Sequence, residues 1–328
     1  MGSYDRRQLV FAEDKKKMVL PKRTLGRTGL EVTVLGYGAM ELRGAPRGPE
    51  VSLETATEIL NAVLDAGINF IDTSPDYGRS EELIGQSIAN RRSEYFLASK
   101  CGCLVGAPSA GAGDRPAHVF TAENVRAGVE QSLRRLQTDH LDLVQFHASP
   151  SRQELDEHGG LTELQRLQRE GKVRFIGMSG TLPNLPEQVG MGVFDAFQIP
   201  YSALQREHEA AIATASAAGA GIVIRGGAAR GAPTDWERRA NYMLPGTTAR
   251  DRWETAKLDD LLGGMSRMEF TLRFTLSLPE LDTTIVGTRS VEHLTDNVAA
   301  AARGPLPQSL VDEAKKQLAA AGSLPAPV

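Results

Sequence analysis

Short apolar runs recur along this chain, and between them apolar residues repeat every three or four positions. The runs lie at 32–35, 68–71, 95–99, 141–146, 173–178, 194–199, 221–224 and 283–286. Their continuous, often β-branched character predicts buried strands. Between them, Ala56, Ile59, Leu60, Val63 and Leu64 fall on one helical face, and Gly67 follows as a stop. Val125, Val129, Leu133 and Leu136 do the same behind a Thr121 cap, and Leu161, Leu164 and Leu167 run up to Gly171. Strand and helix in alternation predict a parallel sheet. Eight such units predict an α/β fold closed into a (β/α)8 barrel. The segment 25–30, with two glycines between β-prone pieces, predicts an N-terminal β-hairpin over the closed end.

Two connections exceed the few residues usual for barrel loops. One is 101–120, rich in Gly and Ala; the other is 231–256, carrying Trp236, Tyr242, Met243 and Trp253. Both follow strands, so both are expected to overhang the face where strands end, as lids or substrate walls, with a disordered surface insertion an equal reading for 101–120.

Three strand ends carry ionisable residues. The run at 68–71 stops at Asp72, with Tyr77 in the loop beyond; the next stops at Lys100, and the run at 141–146 at His147. A carboxylate at the exit of a buried strand is costly unless paired, and Lys100 is a cation of the right kind. In a parallel barrel all three ends point to one face, so Asp72, Tyr77, Lys100 and His147 are expected in one pocket.

The ordered motifs NFIDTSPDYG at 69–78, SLRRLQTDHLDLVQFH at 132–147 and TIVGTRSVEHLTDN at 284–297 resemble the aldo-keto reductase family. The resemblance runs from about residue 23 to about residue 317. It implies a TIM barrel using NADPH to reduce an aldehyde or ketone. Asp72, Tyr77, Lys100 and His147 would be its tetrad, with Tyr77 as the acid, Lys100 lowering its pKa, Asp72 holding Lys100 and His147 orienting the carbonyl. It also implies a dinucleotide along Gly38, Ala39 and Met40, beside Asp72, and at Ser179 and Gln198. Further contacts fall on Arg225, Gly226, Gly227, Ala228 and Arg230, and on Gly287, Thr288, Arg289, His293, Asp296 and Asn297. Two positions depart from the family pattern: Gly180 replaces an Asn, and Arg225 replaces an aromatic residue expected to stack on the nicotinamide. The start of the helix after 287 offers free N–H groups to a phosphate, and Arg289 with the Thr288 and Ser290 hydroxyls suits a 2′-phosphate. The segment 36–40 is not the dinucleotide fingerprint, because Glu41 stands where a third glycine is required. The same tetrad also serves an NAD(P)+-dependent alcohol or sugar dehydrogenase, or an NADP(H)-binding regulatory subunit resembling those of potassium channels.

The chain's 328 residues, 41% hydrophobic, fit one such barrel across 19–328, with 1–18 expected to be a flexible charged extension. A net charge of −4 with interspersed signs gives no nucleic-acid footprint. The expected partner is a small carbonyl substrate. No apolar stretch is long enough for a membrane span and no secretory leader is recognisable, so a cytoplasmic location is expected. Cys101 and Cys103 cannot build a disulfide framework; they read as apolar fillers or as residues behind the pocket. No ligands stand at finger-like spacing, so no metal is expected.

Overall fold

Residues two apart on a strand share a face, and this alternation sorts the strands of the protein into two cores. The computed structural model describes residues 19–106, 117–234, 243–244 and 247–327. The expected extension 1–18 lies outside them. Eight strands close into a parallel barrel: β3 (Leu35–Gly38), β4 (Phe70–Asp72), β5 (Phe96–Cys101), β6 (Leu141–Phe146), β7 (Val173–Met178), β8 (Ala196–Pro200), β9 (Gly221–Arg225) and β12 (Thr283–Val286), which pairs back onto β3. Outward-facing residues such as Ile71, Leu97, Val144 and Ile222 pack under the surrounding helices, forming the larger core.

The helices are α1 (Leu53–Asp65), α2 (Ser80–Ile88), α3 (Ala122–Leu136), α4 (Arg152–Glu157), α5 (Gly160–Arg169), α6 (Leu185–Gly190), α7 (Glu209–Ala217), α8 (Ala249–Thr255), α9 (Arg267–Leu276), α10 (Val291–Ala302) and α11 (Gln308–Ala320). The expected Thr121 cap is present: its hydroxyl accepts from Asn124 N at 3.3 Å. None of the described helices is long and apolar enough to cross a membrane.

The first barrel strand lies further along the chain than the pattern predicts. Residues 31–33 belong to β2 (Glu31–Thr33), which pairs antiparallel with β1 (Lys22–Thr24) in the expected hairpin. The apolar Val32 is explained by its place: with Leu25 and Leu30 it plugs the bottom of the barrel against Phe70, Ala98, Leu143, Ala196 and Val223. Gly36 and Gly38 are strand residues of β3. A Cβ at Gly36 would press on the Phe70 ring and backbone at 3.1 Å, so neighbouring strands meet here without a side chain between them. Lys100 likewise sits inside β5, opposite Gln145 of β6, one residue before the strand ends.

The expected loop 231–256 is described in part. Its described part holds a short ribbon, β10 (Met243–Leu244) paired with β11 (Thr247–Thr248), and then α8. Trp253 on α8 is buried, edge-on to Phe270, and its indole N–H donates to Asp259 Oδ1 at 3.0 Å. Trp236 and Tyr242 lie outside the described residues.

Candidate active site

Two residues beyond each barrel residue that meets the apolar plug, the same strands turn polar. Phe70 is followed on its face by Asp72, Ala98 by Lys100, Leu143 by Gln145, Ala196 by Gln198 and Val223 by Arg225. This second layer centres on Asp72. Lys100 Nζ donates to both carboxylate oxygens, at 2.9 and 2.7 Å, and to Thr73 O at 2.8 Å. Gln145 Nε2 and Gln198 Nε2 donate to Asp72 Oδ1 at 2.9 and 2.8 Å. Asp72 and Lys100 are each 1% exposed, so the pair is held away from water. Burial works against the Lys100 ammonium, but Asp72 outweighs it and holds the group above the usual lysine range. A Cβ at Gly177 would lie 3.0 Å from Gln145 Cγ, so the glycine leaves the space that lets Gln145 reach Asp72.

Tyr77 and His147 stand at the open side of this layer. Lys100 Nζ is 5.2 Å from the centre of the Tyr77 ring, and the Tyr77 and His147 rings meet edge-on with centres 6.3 Å apart. The fold thus brings together all four residues expected in one pocket. The expected pull of Lys100 on Tyr77 is present, but burial outweighs it. Burial pushes the Tyr77 hydroxyl above the usual phenol range, and Lys100 pulls it back only part of the way.

Behind His147 lies a group that the sequence order conceals. His147 Nδ1 is 3.1 Å from Asp76 Oδ2, 3.3 Å from His118 Nε2 and 3.4 Å from Cys103 Sγ. His118 Nε2 is also 3.1 Å from Asp76 Oδ2. Burial raises the carboxyl of Asp76, but the two histidines hold it well below the usual carboxylate range. Burial likewise presses His147 down to about 4 and Cys103 well above the ordinary thiol range.

The residues expected along a dinucleotide line the same face. Gly38 ends β3, and Ala39 and Met40 open a turn of 3-10 helix directly after it. A Cβ at Gly287, just past β12, would lie 2.4 Å from Gly38 O, so these two strand ends meet through bare backbone. Tyr37 Oη donates to Thr288 O at 2.8 Å and fixes that turn. The Ser290 hydroxyl caps α10, accepting from His293 N at 3.2 Å, and Thr288 Oγ1 accepts from Ser290 N at 3.1 Å. Arg289 beside them is half-exposed. His293 and Asp296 are exposed on α10, with Asn297 half-buried one turn from His293. Ser179 Oγ lies 3.5 Å from Gln198 Oε1. Arg225 is half-buried at the end of β9, where its charge bears on Tyr77; Gly226, Gly227 and Ala228 turn the chain, and Arg230 is exposed. At the Gly180 departure, two side-chain ends of α6 occupy the place of a Cβ. A Cβ there would sit 2.7 Å from Gln188 Oε1 and 2.8 Å from Leu185 Cδ1.

Sequence reasoning passed over Gln145, Asp76 and His118. Gln145 carried a signal, a polar residue on the inward phase of an otherwise apolar run. His118 carried none, because it enters the site by pairing across the base of a long loop, Cys103 to His118.

A family model described as the aldo/keto reductase family matches residues 34–318. The chain is 31% identical over 306 residues to oxidoreductase YrpG of Bacillus subtilis, covering 84% of this chain and 89% of that protein. It is 28% identical over 307 residues to L-galactose dehydrogenase of Arabidopsis thaliana, covering 85% and 87%. The fold is similar to an aldo-keto reductase of Bacillus halodurans in its holo form, with a TM-score of 0.79, 26% identity, and 91% and 96% of the two chains covered.

Proposed function

The chain belongs to the aldo/keto reductase family, and from that premise we propose that it reduces an aldehyde or ketone with NADPH, Tyr77 giving the proton. The observation that carries this reading is the Lys100–Asp72 pair, closed off from water beneath the Tyr77 ring. Such a pair is costly to bury and is supported here by two glutamines.

When bound, the dinucleotide supplies the hydride. The strand ends fit such a group: Gly38 and Gly287 leave bare backbone at the joint of β3 and β12, and the Ser290 hydroxyl at the start of α10 accepts a bond from His293 N while keeping its own proton to donate. Arg289, Thr288 and Ser290 would hold a 2′-phosphate, His293, Asp296 and Asn297 the adenosine side, and Arg225, Gly226, Gly227, Ala228 and Arg230 the middle. Ser179 and Gln198 would take the carboxamide, with Gly38, Ala39 and Met40 along one edge.

The chemistry asked of Tyr77 suits a phenol held above its usual range. A carbonyl oxygen becoming an alkoxide is a far stronger base than a phenolate, so transfer is downhill even from a reluctant acid. Lys100, above its usual range and fixed by Asp72, stabilises the phenolate left behind. His147 orients the carbonyl oxygen by a hydrogen bond. The L-galactose dehydrogenase relative favours a second reading, the same constellation run toward oxidation of a sugar. The test is a panel of aldehydes, ketones and sugars, read by NADPH absorbance in both directions. Absence of turnover on every member, with cofactor binding intact, would contradict the proposal.

A further inference from the structure

We infer that Asp76, Cys103, His118 and His147 bind a zinc ion between the loops that follow β4, β5 and β6. Their four ligand atoms lie within 4.8 Å of one another. Four of their six separations match a coordination shell. Ligand bonds of about 2.0–2.1 Å to nitrogen or oxygen and about 2.3 Å to sulfur give tetrahedral edges of roughly 3.3 Å between N and O atoms and roughly 3.5 Å from sulfur to nitrogen. The observed edges are 3.1 Å from Asp76 Oδ2 to each histidine, 3.3 Å between the two ring nitrogens and 3.4 Å from Cys103 Sγ to His147 Nδ1.

Hydrogen bonds alone account for this arrangement poorly. His147 Nδ1 has three neighbours within 3.4 Å, yet a ring nitrogen carries either one proton or one lone pair. A single cation inside the group meets all four atoms through one lone pair each. The charges also close: one carboxylate and one thiolate neutralise a divalent ion, and two neutral imidazoles complete the shell. Thiolate with imidazole at tetrahedral spacing selects zinc over magnesium or calcium, which require more oxygen ligands.

The ligands are held before any ion arrives. Cys103 and His118 face each other across an antiparallel bridge, pinned by Val119 N to Gly102 O at 2.7 Å and Leu104 N to Ala117 O at 3.0 Å. Asn124 Nδ2 donates to Cys103 O and Val119 O at 3.2 and 2.7 Å, tying both arms of the loop to α3. The His118 ring stacks on Phe120, and Ser74 Oγ lies 3.7 Å from Cys103 Sγ. Outer contacts of this kind orient metal ligands. The expectation of no metal came from spacing along the chain, whereas here the four ligands come from three loops, Cys103 and His118 standing fifteen residues apart on one of them.

With Nδ1 taken by a metal, the neutral His147 ring carries its proton on Nε2. That is the tautomer needed to donate to a carbonyl oxygen, whereas an Nδ1–H shared with Asp76 leaves Nε2 as an acceptor. Only this consequence rests on the reductase reading; the binding itself does not.

The experiment is elemental analysis of untagged full-length protein grown with zinc and dialysed against buffer, followed by exchange into cobalt. The expected result is about one zinc per chain, and a cobalt form with tetrahedral visible bands and a thiolate-to-cobalt band in the near ultraviolet. Cys103→Ser and His118→Ala should lower zinc content about tenfold or more, while Cys101→Ala should keep it. A protein that takes up neither metal, or a cobalt form without the thiolate band, overturns the inference. So does a folded Cys103→Ser or His118→Ala variant that retains stoichiometric zinc; if neither variant folds, the wild-type cobalt spectrum decides. None of these readouts uses turnover, so zinc binding without carbonyl reduction would count against the functional proposal alone.

Discussion

Gln198 Nε2 on β8 lies 2.8 Å from Asp72 Oδ1 on β4, a bond that spans the interior of the barrel. The family resemblance assigns Gln198 to a bound carboxamide, yet in this structure its amide N–H₂ already serves the buried carboxylate. Its Oε1 accepts from Ser179 Oγ at 3.5 Å and has a second lone pair for another partner. The residue therefore holds the polar layer together as well as facing the site.

Gln198→Leu should for that reason destabilise the cofactor-free protein by about 1–3 kcal/mol, because a buried carboxylate loses one of its donors. Urea unfolding of the apo form measures it. Unchanged apo stability would confine Gln198 to ligand binding.

Lys100→Met should cost more, about 3–5 kcal/mol, since it strands Asp72 without its cation. Adding Asp72→Asn should restore much of that loss, because the charge left uncompensated is then gone. A double variant no more stable than Lys100→Met would show that packing around the lysine stem, and not the unpaired carboxylate, sets the cost. Both variants should be inactive in carbonyl reduction.

Arg289 stands half-exposed beside the capped start of α10, where a helix terminus and a guanidinium both favour a phosphate. Binding of NADPH should exceed that of NADH by about 1–3 kcal/mol, and Arg289→Ala should remove most of the margin. Calorimetric titration of both dinucleotides checks this. Equal affinities in the parent protein would sink the claim.

How far the chain could be read follows from which interactions are local. Strand and helix periodicity lay open in the sequence, and closure followed from eight parallel units. Asp72, Lys100 and His147 were legible because each interrupts or ends an apolar run. The shift of the first barrel strand to 35–38 was not, because the apolar residues at 32–35 serve two structures: Val32 plugs the barrel bottom and Leu35 opens β3. Periodicity records burial but not which core a side chain enters. His118 was illegible for another reason. Its loop is set by long-range pairing, and nothing in 117–120 has a period.

Asp282 gives a pH dependence with a definite sign. It sits half-buried at the start of β12, its Oδ2 accepting from Ile222 N at 2.8 Å. Burial raises its carboxyl from 3.8 to about 6, against bonds from Ile222 and Gly26 and the charge of Arg23. A group raised on folding stabilises most while protonated in both states, below 3.8, and that contribution is lost as pH climbs through about 6. Solvent access limits it to the order of 1 kcal/mol. Asp282→Asn should flatten this part of the stability profile between about pH 4 and 7. A variant whose melting temperature tracks the parent at every pH in that window would refute the assignment.

The sharpest test of the chemistry is Tyr77→Phe. The ring is packed edge-on to His147 and above Lys100, so Phe keeps the volume and both contacts while removing the one hydroxyl. Loss of a general acid typically lowers rate ~10²–10⁴-fold. Because the hydroxyl is held above the usual phenol range, the parent's Tyr77 should stay protonated through neutral pH, and reduction should show no rate loss there from its ionisation. Dinucleotide affinity should remain near that of the parent, which separates a lost proton donor from a damaged binding face. Single-turnover measurement of dinucleotide oxidation, with the best carbonyl substrate at saturation, isolates the step. If that rate survives the substitution, the proton comes from elsewhere, with His147 or solvent the first places to look.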